Sequence, residues 1–230
     1  MTTFLDNRFA FFFMRRDRSE GGKDSQGYAS SINKIGAFDS VQGFFGIYDH
    51  LVKPADLAND AHVTDYHLFR EGITPTWEDP HNKRGGKWII RLRKVENLAS
   101  LYFEELLLAL IGEQFGDVGV HVCGVVVSVR QHEDIIAVWN SDAEDKDATN
   151  KIRDVIKSAL DLPNFITLEY KRHQFHRQGG GGGWNRQGDA RGDRDKGNRG
   201  PPRGPPRERV HAAAPEPRSD RDWSTLRARK

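Results

Sequence analysis

An abrupt change of composition near residue 177 sets the frame for anything this chain can fold into. From Arg177 to Lys230 it is Gly, Arg, Pro and Asp with almost no aliphatic side chains, and five glycines run consecutively at 179–183. Such a segment buries too little apolar surface to offset the entropy of ordering it, so it is expected to be a disordered Gly/Arg/Pro-rich tail. The core must therefore come from residues 1–176, the length of one ordinary domain. Charge divides the same way. The tail holds 12 Arg and 2 Lys against 7 acids, while the whole chain has a formal charge of +2, which leaves the body at −5. Nucleic-acid binding by the body would have to use local basic clusters, not a global field.

Within the body, apolar periodicity predicts short strands interleaved with three helices. Phe9 to Met14 reads as a buried strand and Ile32 to Phe38 as a second. Asp39-Ser40 suits an N-cap for a helix carrying Val41, Phe44, Phe45, Tyr48 and Leu51, stopped by Pro54. Tyr66–Phe69 and Lys87–Arg93 read as strands, the latter setting Trp88, Ile90 and Leu92 against Lys87, Ile89, Arg91 and Arg93. Leu98–Ile111 is a Leu-rich helix ended by Gly112. Val120–Arg130 and Asp134–Trp139 form a hairpin, Asp147–Leu160 an amphipathic helix, and Phe165–Tyr170 a last strand after Pro163-Asn164. This order points to an α+β antiparallel sheet with helices on one face and the other face free for a ligand.

Several function classes fall away. The lone Cys123 sits in an apolar run, so no intrachain disulfide or thiolate metal site can form. No apolar run reaches the length of a membrane span, so no membrane association is expected and a cytoplasmic location is the default. There is no phosphate-cradling glycine motif, no Ser/His/Asp pattern and no metal-ligand spacing among the nine His. The reading is a non-enzyme without cofactor or metal.

The long segment from Glu71 to Gly86 carries the chemistry, with Trp77 and Glu78 adjacent in it. A guanine base presents N1–H and an N2 amino group on one edge, and one carboxylate accepts both. An aromatic face beside a carboxylate is therefore a minimal guanine reader. Methylation at N7 makes the base cationic, and flanking aromatic faces then add cation–π attraction. Tyr28 is the best candidate for the second face. Lys87 and Arg130, both at strand ends, are candidates for phosphate contacts.

These residues resemble the eukaryotic translation initiation factor 4E family. Trp77-Glu78-Asp79 followed by Asn82-Lys83-Arg84-Gly85-Gly86-Lys87-Trp88-Ile89-Ile90 is similar to its central motif, as are Ile111–Phe115 and Gly124–Arg130 followed by Trp139. The likeness runs from about Leu5 to Lys171. It implies a cupped, eight-stranded antiparallel sheet backed by three helices. It also implies binding of the 7-methylguanosine triphosphate end of capped mRNA, in translation initiation or its regulation. By the resemblance, Trp77 and Tyr28 match the stacking pair, Glu78 the guanine acceptor, Lys87 and Arg130 the phosphate contacts, and Trp139 the contact to the N7-methyl group. His132 and Ile135 stand where further Lys is usual, which implies a weaker triphosphate grip. Tyr28, Asn33–Gly36, Gly86–Lys94 and Glu133–Ile136 resemble the 4E-homologous, class II branch.

The implied partner surface departs from the family pattern. Val41 is kept and Glu105 matches, but Phe45 replaces a Trp, and Thr3-Phe4 stand where His-Pro is usual. Initiation factor 4G and 4E-binding proteins are the partners the resemblance implies for this first-helix surface. Phe9, Phe12 and Phe103 also stand where Trp is usual and read as core replacements. The alternative to cap recognition is an RNA-associated translational repressor or adaptor acting through the Arg/Gly tail.

Overall fold

A computed structural model describes residues 1–17, 30–57, 62–95 and 97–173. The strands are β1 (Phe4–Asp17), β2 (Asn33–Ser40), β3 (His62–Arg70), β4 (Gly86–Arg93), β5 (Val122–Val129), β6 (Glu133–Asn140) and β7 (Leu168–Arg172). The helices are α1 (Val41–Tyr48), α2 (Leu98–Ile111) and α3 (Lys146–Ala159), with a 3-10 turn over Gly116–His121. The strands form one sheet in the order β2-β1-β3-β5-β6-β4-β7, every neighbouring pair antiparallel.

The sheet has seven strands among the described residues, not the eight that the resemblance implies. Element-by-element reading of the sequence also yields seven. The short edge strand β7 pairs only with β4, and the described chain ends one residue beyond it, at His173. Three helices are present among the described residues, as expected. The tail from residue 177 lies outside the described residues, and so does Tyr28.

One face of the sheet and all three helices share the main core. Phe9 and Phe11 of β1, Leu68 of β3, Ile90 and Leu92 of β4, Val125 and Val127 of β5, and Ile136 of β6 are at most 1% exposed on that side. Full burial of each such side chain is worth about 1.5–3 kcal/mol. α2 lies centrally and is buried almost all round, through Tyr102, Phe103, Leu106, Leu107 and Leu110. α3 buries only the stripe containing Ile152 and Ile156, and Trp88 donates its Nε1–H to the Thr149 carbonyl at 2.9 Å to fasten it to the sheet. α1 starts on Ser40, whose side chain accepts from the Gly43 N–H, as the Asp39-Ser40 signal predicts. Phe9 and Phe103 are core residues as expected. Phe12 instead packs against a second cluster, on the opposite face.

That second cluster contains no helical residue. It consists of Phe69, Ile89, Cys123, Val126, Ala137 and Trp139, with Phe12, Ile73 and Ile135 against it. Ile73 belongs to the loop between β3 and β4, so this loop is the element that packs onto the helix-free face.

Candidate functional site

Antiparallel register sorts the helix-free face into cross-strand rows. Phe69, Gly124, Trp139, Lys87 and Lys171 form one row, running across β3, β5, β6, β4 and β7. His67, Val126, Ala137, Ile89 and Glu169 form the next, followed by Asp65, Ser128, Ile135 and Arg91. Arg93 stands opposite Glu133 beyond them, and Arg130 follows the last residue of β5. The face is apolar in the middle and basic along β4.

The loop at 71–85 sits over the first row, and two polar residues hold it there. The Asp79 carboxylate accepts from the Thr74 N–H at 2.8 Å, the His81 N–H at 2.9 Å and the His81 ring at 3.1 Å. Burial pushes the Asp79 carboxyl up, but these donors outweigh it and hold the group below its ordinary value. Asn82 is fully buried, and its amide donates to the carbonyls of Thr74 at 2.9 Å and Thr76 at 2.8 Å. The loop is thus closed by hydrogen bonds inside a segment that has no regular secondary structure. Its far end is equally tight. A Cβ on Gly85 would come within 1.7 Å of the Asn140 carbonyl oxygen, so only glycine lets the chain lie against the end of β6. The His173 N–H donates to the Gly85 carbonyl at 3.1 Å, joining the end of β7 to the same point.

This framework holds the predicted pair. Trp77 is partly buried, with no ring contact to another aromatic among the described residues, and Glu78 is exposed. Both lie immediately before the Asp79 anchor. The backbone positions of Trp77 and Glu78 are therefore fixed while their side chains remain available.

Lys87 opens β4 directly after the loop. Its Nζ lies 5.0 Å from the centroid of the Trp139 ring, its cross-strand partner. Burial lowers the Lys87 pKa, and the positive charges of Arg130 and Lys171 lower it further against the opposing effect of Asp65. Arg130, half-buried at the end of β5, thus shares an electrostatic neighbourhood with Lys87, and its Nε has no hydrogen-bond partner. Two partly desolvated cations facing one region suit a polyanionic ligand.

Trp139 is only 5% exposed. Its ring meets Phe69 edge-on at 5.5 Å and lies 4.2 Å from the His173 ring, centroid to centroid. Packing of the strand end accounts for most of its surface, and its Nε1 has no hydrogen-bond partner. His173 carries no signal in the sequence that marks it. Burial first, and then Lys87, pull its pKa down to about 4, so the ring is neutral at neutral pH. Asp79 and Asn82 do carry a signal, the turn chemistry of Asp-Pro and of Asn in a Gly/Pro-rich loop.

The predicted partner residues lie elsewhere, on the helices that cover the opposite face. Val41 and Phe45 are one turn apart on α1. Phe45 is 40% exposed and Phe4 72% exposed, while Glu105 is exposed on α2. The Val41 N–H donates to the Thr3 carbonyl at 2.9 Å, and the Gln42 side chain accepts from the Thr3 N–H at 3.0 Å. The N-terminal residues are in this way tied to the start of α1.

Among the described residues no group of His, Cys, Asp and Glu could hold a metal ion, and no helix is long and apolar enough to cross a membrane.

Comparison with known proteins gives a consistent result. The family model described as eukaryotic initiation factor 4E matches residues 4–183. The chain is 44% identical over 166 residues to eukaryotic translation initiation factor 4E-4 of Caenorhabditis elegans, covering 72% of this chain and 76% of that protein. It is 46% identical over 169 residues to eukaryotic translation initiation factor NCBP of Oryza sativa subsp. japonica, covering 74% and 70%. Among solved structures, a complex of C. elegans eIF4E-3 with the 4E-binding protein Mextli and cap analog superposes with a TM-score of 0.67 at 35% identity, covering 75% of this chain and 94% of that one. These relatives are translation factors, not enzymes, and by sequence and by fold this chain belongs to the eukaryotic initiation factor 4E family.

Proposed function

We propose that this protein binds the 7-methylguanosine 5′ cap of mRNA and acts in translation initiation or its regulation, in the cytoplasm. The observation that carries this reading is the Asp79- and Asn82-anchored loop, which presents Trp77, in contact with no other ring among the described residues, and an exposed Glu78 next to the Lys87–Arg130 cation pair. Trp77 stacks on the methylated base, whose positive charge strengthens the contact by about 1–2 kcal/mol once desolvated. Glu78 accepts N1–H and the N2 amino group together. Tyr28 supplies the opposite aromatic face. Lys87 and Arg130 bind the triphosphate, and Trp139 offers an edge to the N7-methyl group while serving mainly as packing. The structure bound to a cap analog at 35% identity supports the same ligand class for this chain. Tyr28 and the β4 sequence support the 4E-homologous branch.

The surface of Val41, Phe45 and Glu105 is proposed to take a helical segment of a 4E-binding protein, the class of partner with which the solved relative is complexed. Phe45 provides apolar contact there but no indole N–H donor.

Retention on immobilised 7-methylguanosine triphosphate tests the cap reading. The wild type is retained, Trp77→Ala and Glu78→Ala are lost with unchanged melting temperature, and removal of residues 177–230 leaves retention intact. Retention that survives both point substitutions but vanishes with the tail would replace this reading by an adaptor acting through the tail.

A further inference from the structure

Strand β4 continues past Lys87 with two more cations on the helix-free face. Side chains alternate along a strand, so Lys87, Ile89, Arg91 and Arg93 share one side, and the register confirms it: Ile89 stands opposite Ala137 and Arg91 opposite Ile135, residues of the helix-free cluster. At the rise of a strand, Arg91 and Arg93 stand about 13 and 20 Å along β4 from Lys87. They are too far to share its phosphate, but they lie on the Arg130 side of the face.

An open depression of about 520 Å³ lies at this position. It is lined by Ile89, Arg91, Arg93, His132, Phe165 and Glu169, among others. Neither Trp77 nor Lys87 borders it, so it is separate from the cap pocket. Most of the acids nearby are already committed. Glu133 accepts from Arg91 Nη1 at 2.6 Å, Glu169 pairs with Lys171 at 3.2 Å, and Asp134 pairs with Lys94. Arg91 keeps its other guanidinium N–H groups for a second acceptor. Arg93 is exposed and has no ion-pair partner among the described residues, and His132 at the tip of the β5–β6 hairpin adds a donor. Side by side these make a short basic track along β4.

We infer that this depression is a second subsite, which takes the phosphodiester backbone of the RNA that follows the cap. The inference rests on the cap reading, because only a base held at Trp77 with its phosphates at Lys87 and Arg130 sends the next nucleotides along β4. Arg91 and Arg93 bind phosphate oxygens. Continuity with the triphosphate contacts at Lys87 and Arg130 favours the RNA chain over an acidic peptide. The thin triphosphate grip left by His132 and Ile135 is thereby offset further along the chain.

The full-length protein should be titrated, in parallel, with 7-methylguanosine triphosphate and with a 7-methylguanosine-capped oligonucleotide of five nucleotides. Wild type should bind the capped oligonucleotide more tightly than the triphosphate. Arg91→Ala/Arg93→Ala should leave affinity for the triphosphate within twofold. The same variant should lose about fivefold for the oligonucleotide at 0.1 M salt and flatten its log K against log salt slope by about 1.4, the share of two single-strand phosphate contacts. The conservative pair Arg91→Lys/Arg93→Lys should restore most of the slope. Equal loss for both ligands would overturn the subsite, as would no loss for either or a wild type that gains nothing from the added nucleotides. A wild type that fails to bind the triphosphate at all would refute the cap reading first, and the subsite with it.

Discussion

Lys87 and Trp139 face each other directly across the β4–β6 ladder, with the ammonium 5.0 Å from the centroid of the indole ring. The pairing locates a desolvated cation at the mouth of the loop that carries Trp77. Lys87→Ala should therefore weaken binding of 7-methylguanosine triphosphate about tenfold and of 7-methylguanosine monophosphate much less, since charge-assisted phosphate contacts are worth about 1.5–3 kcal/mol. Calorimetric titration with both ligands checks this. An equal loss for the two would mean that Lys87 acts by packing against Trp139.

Asp79 is the clasp of the ligand loop. In Asp79→Ala the N–H groups of Thr74 and His81 lose their acceptor, and the ring of His81 loses its partner. Amide hydrogen exchange at residues 74 and 81 should rise, and cap affinity should fall about tenfold, because ordering the loop then costs binding free energy. The wild-type clasp is acid-sensitive. The Asp79 pKa is lowered on folding, so its contribution is present above the ordinary carboxylate value and is lost as pH falls through the folded value. Exchange protection at the two amides should follow that course.

His173 predicts a separate pH effect, on stability. Its pKa falls from an ordinary 6.5 to about 4 on folding, through burial and through Lys87. The unfolded chain binds the proton more readily, so stability is full above about 6.5 and drains as pH drops toward about 4. His173→Phe should flatten melting temperature against pH in that window. A profile unchanged by the substitution would show that another group controls it.

Phe44 and Phe45 are neighbours in α1 with opposite duties. Phe44 is fully buried and stacks on Tyr48 at 5.2 Å, whereas Phe45 is 40% exposed. Phe44→Ala should cost about 3–5 kcal/mol in chemical denaturation. Phe45→Ala should cost under about 1 kcal/mol, and it should remove binding of a helical 4E-binding peptide while leaving cap binding intact.

Much of the fold is legible because its periods are clean. Trp88, Ile90 and Leu92 face the helices while Lys87, Ile89, Arg91 and Arg93 face away, as alternation predicts. The errors lie at element ends. β1 runs from Phe4 to Asp17, well beyond Phe9–Met14, because the polar residues Asp6, Asn7 and Arg8 continue the strand through the irregular register between Phe4 and Phe9. Val120 and His121 close a 3-10 turn instead of opening β5, in a stretch where Gly116 takes a positive φ of 56°. Phe165 and Ile166 stay in a turn closed by the Ile166 N–H on the Pro163 carbonyl at 2.9 Å, which delays β7 to Leu168.

The site is less legible than the fold. Trp77 and Glu78 announce themselves by residue type, and Lys87 and Arg130 by position at strand ends. The Asp79 and Asn82 clasp is written in turn chemistry that a search for ligand contacts passes over. The rows Phe69–Trp139–Lys87 and Ile135–Arg91 depend on a strand order in which β6 and β4 are neighbours although α2 and β5 separate them in sequence. No local pattern records that pairing.

Recognition of a methylated, cationic guanine rests on Trp77 and Glu78. Quenching of tryptophan fluorescence on titration with 7-methylguanosine triphosphate and with unmethylated guanosine triphosphate tests it most directly. At least tenfold preference for the methylated ligand is expected, from about 1–2 kcal/mol of cation–π attraction at each face, with Trp77→Leu cutting the preference to the share of the remaining face and Glu78→Gln weakening both ligands. Equal affinity for the two ligands in the wild type, or a preference undiminished in Trp77→Leu, would contradict it.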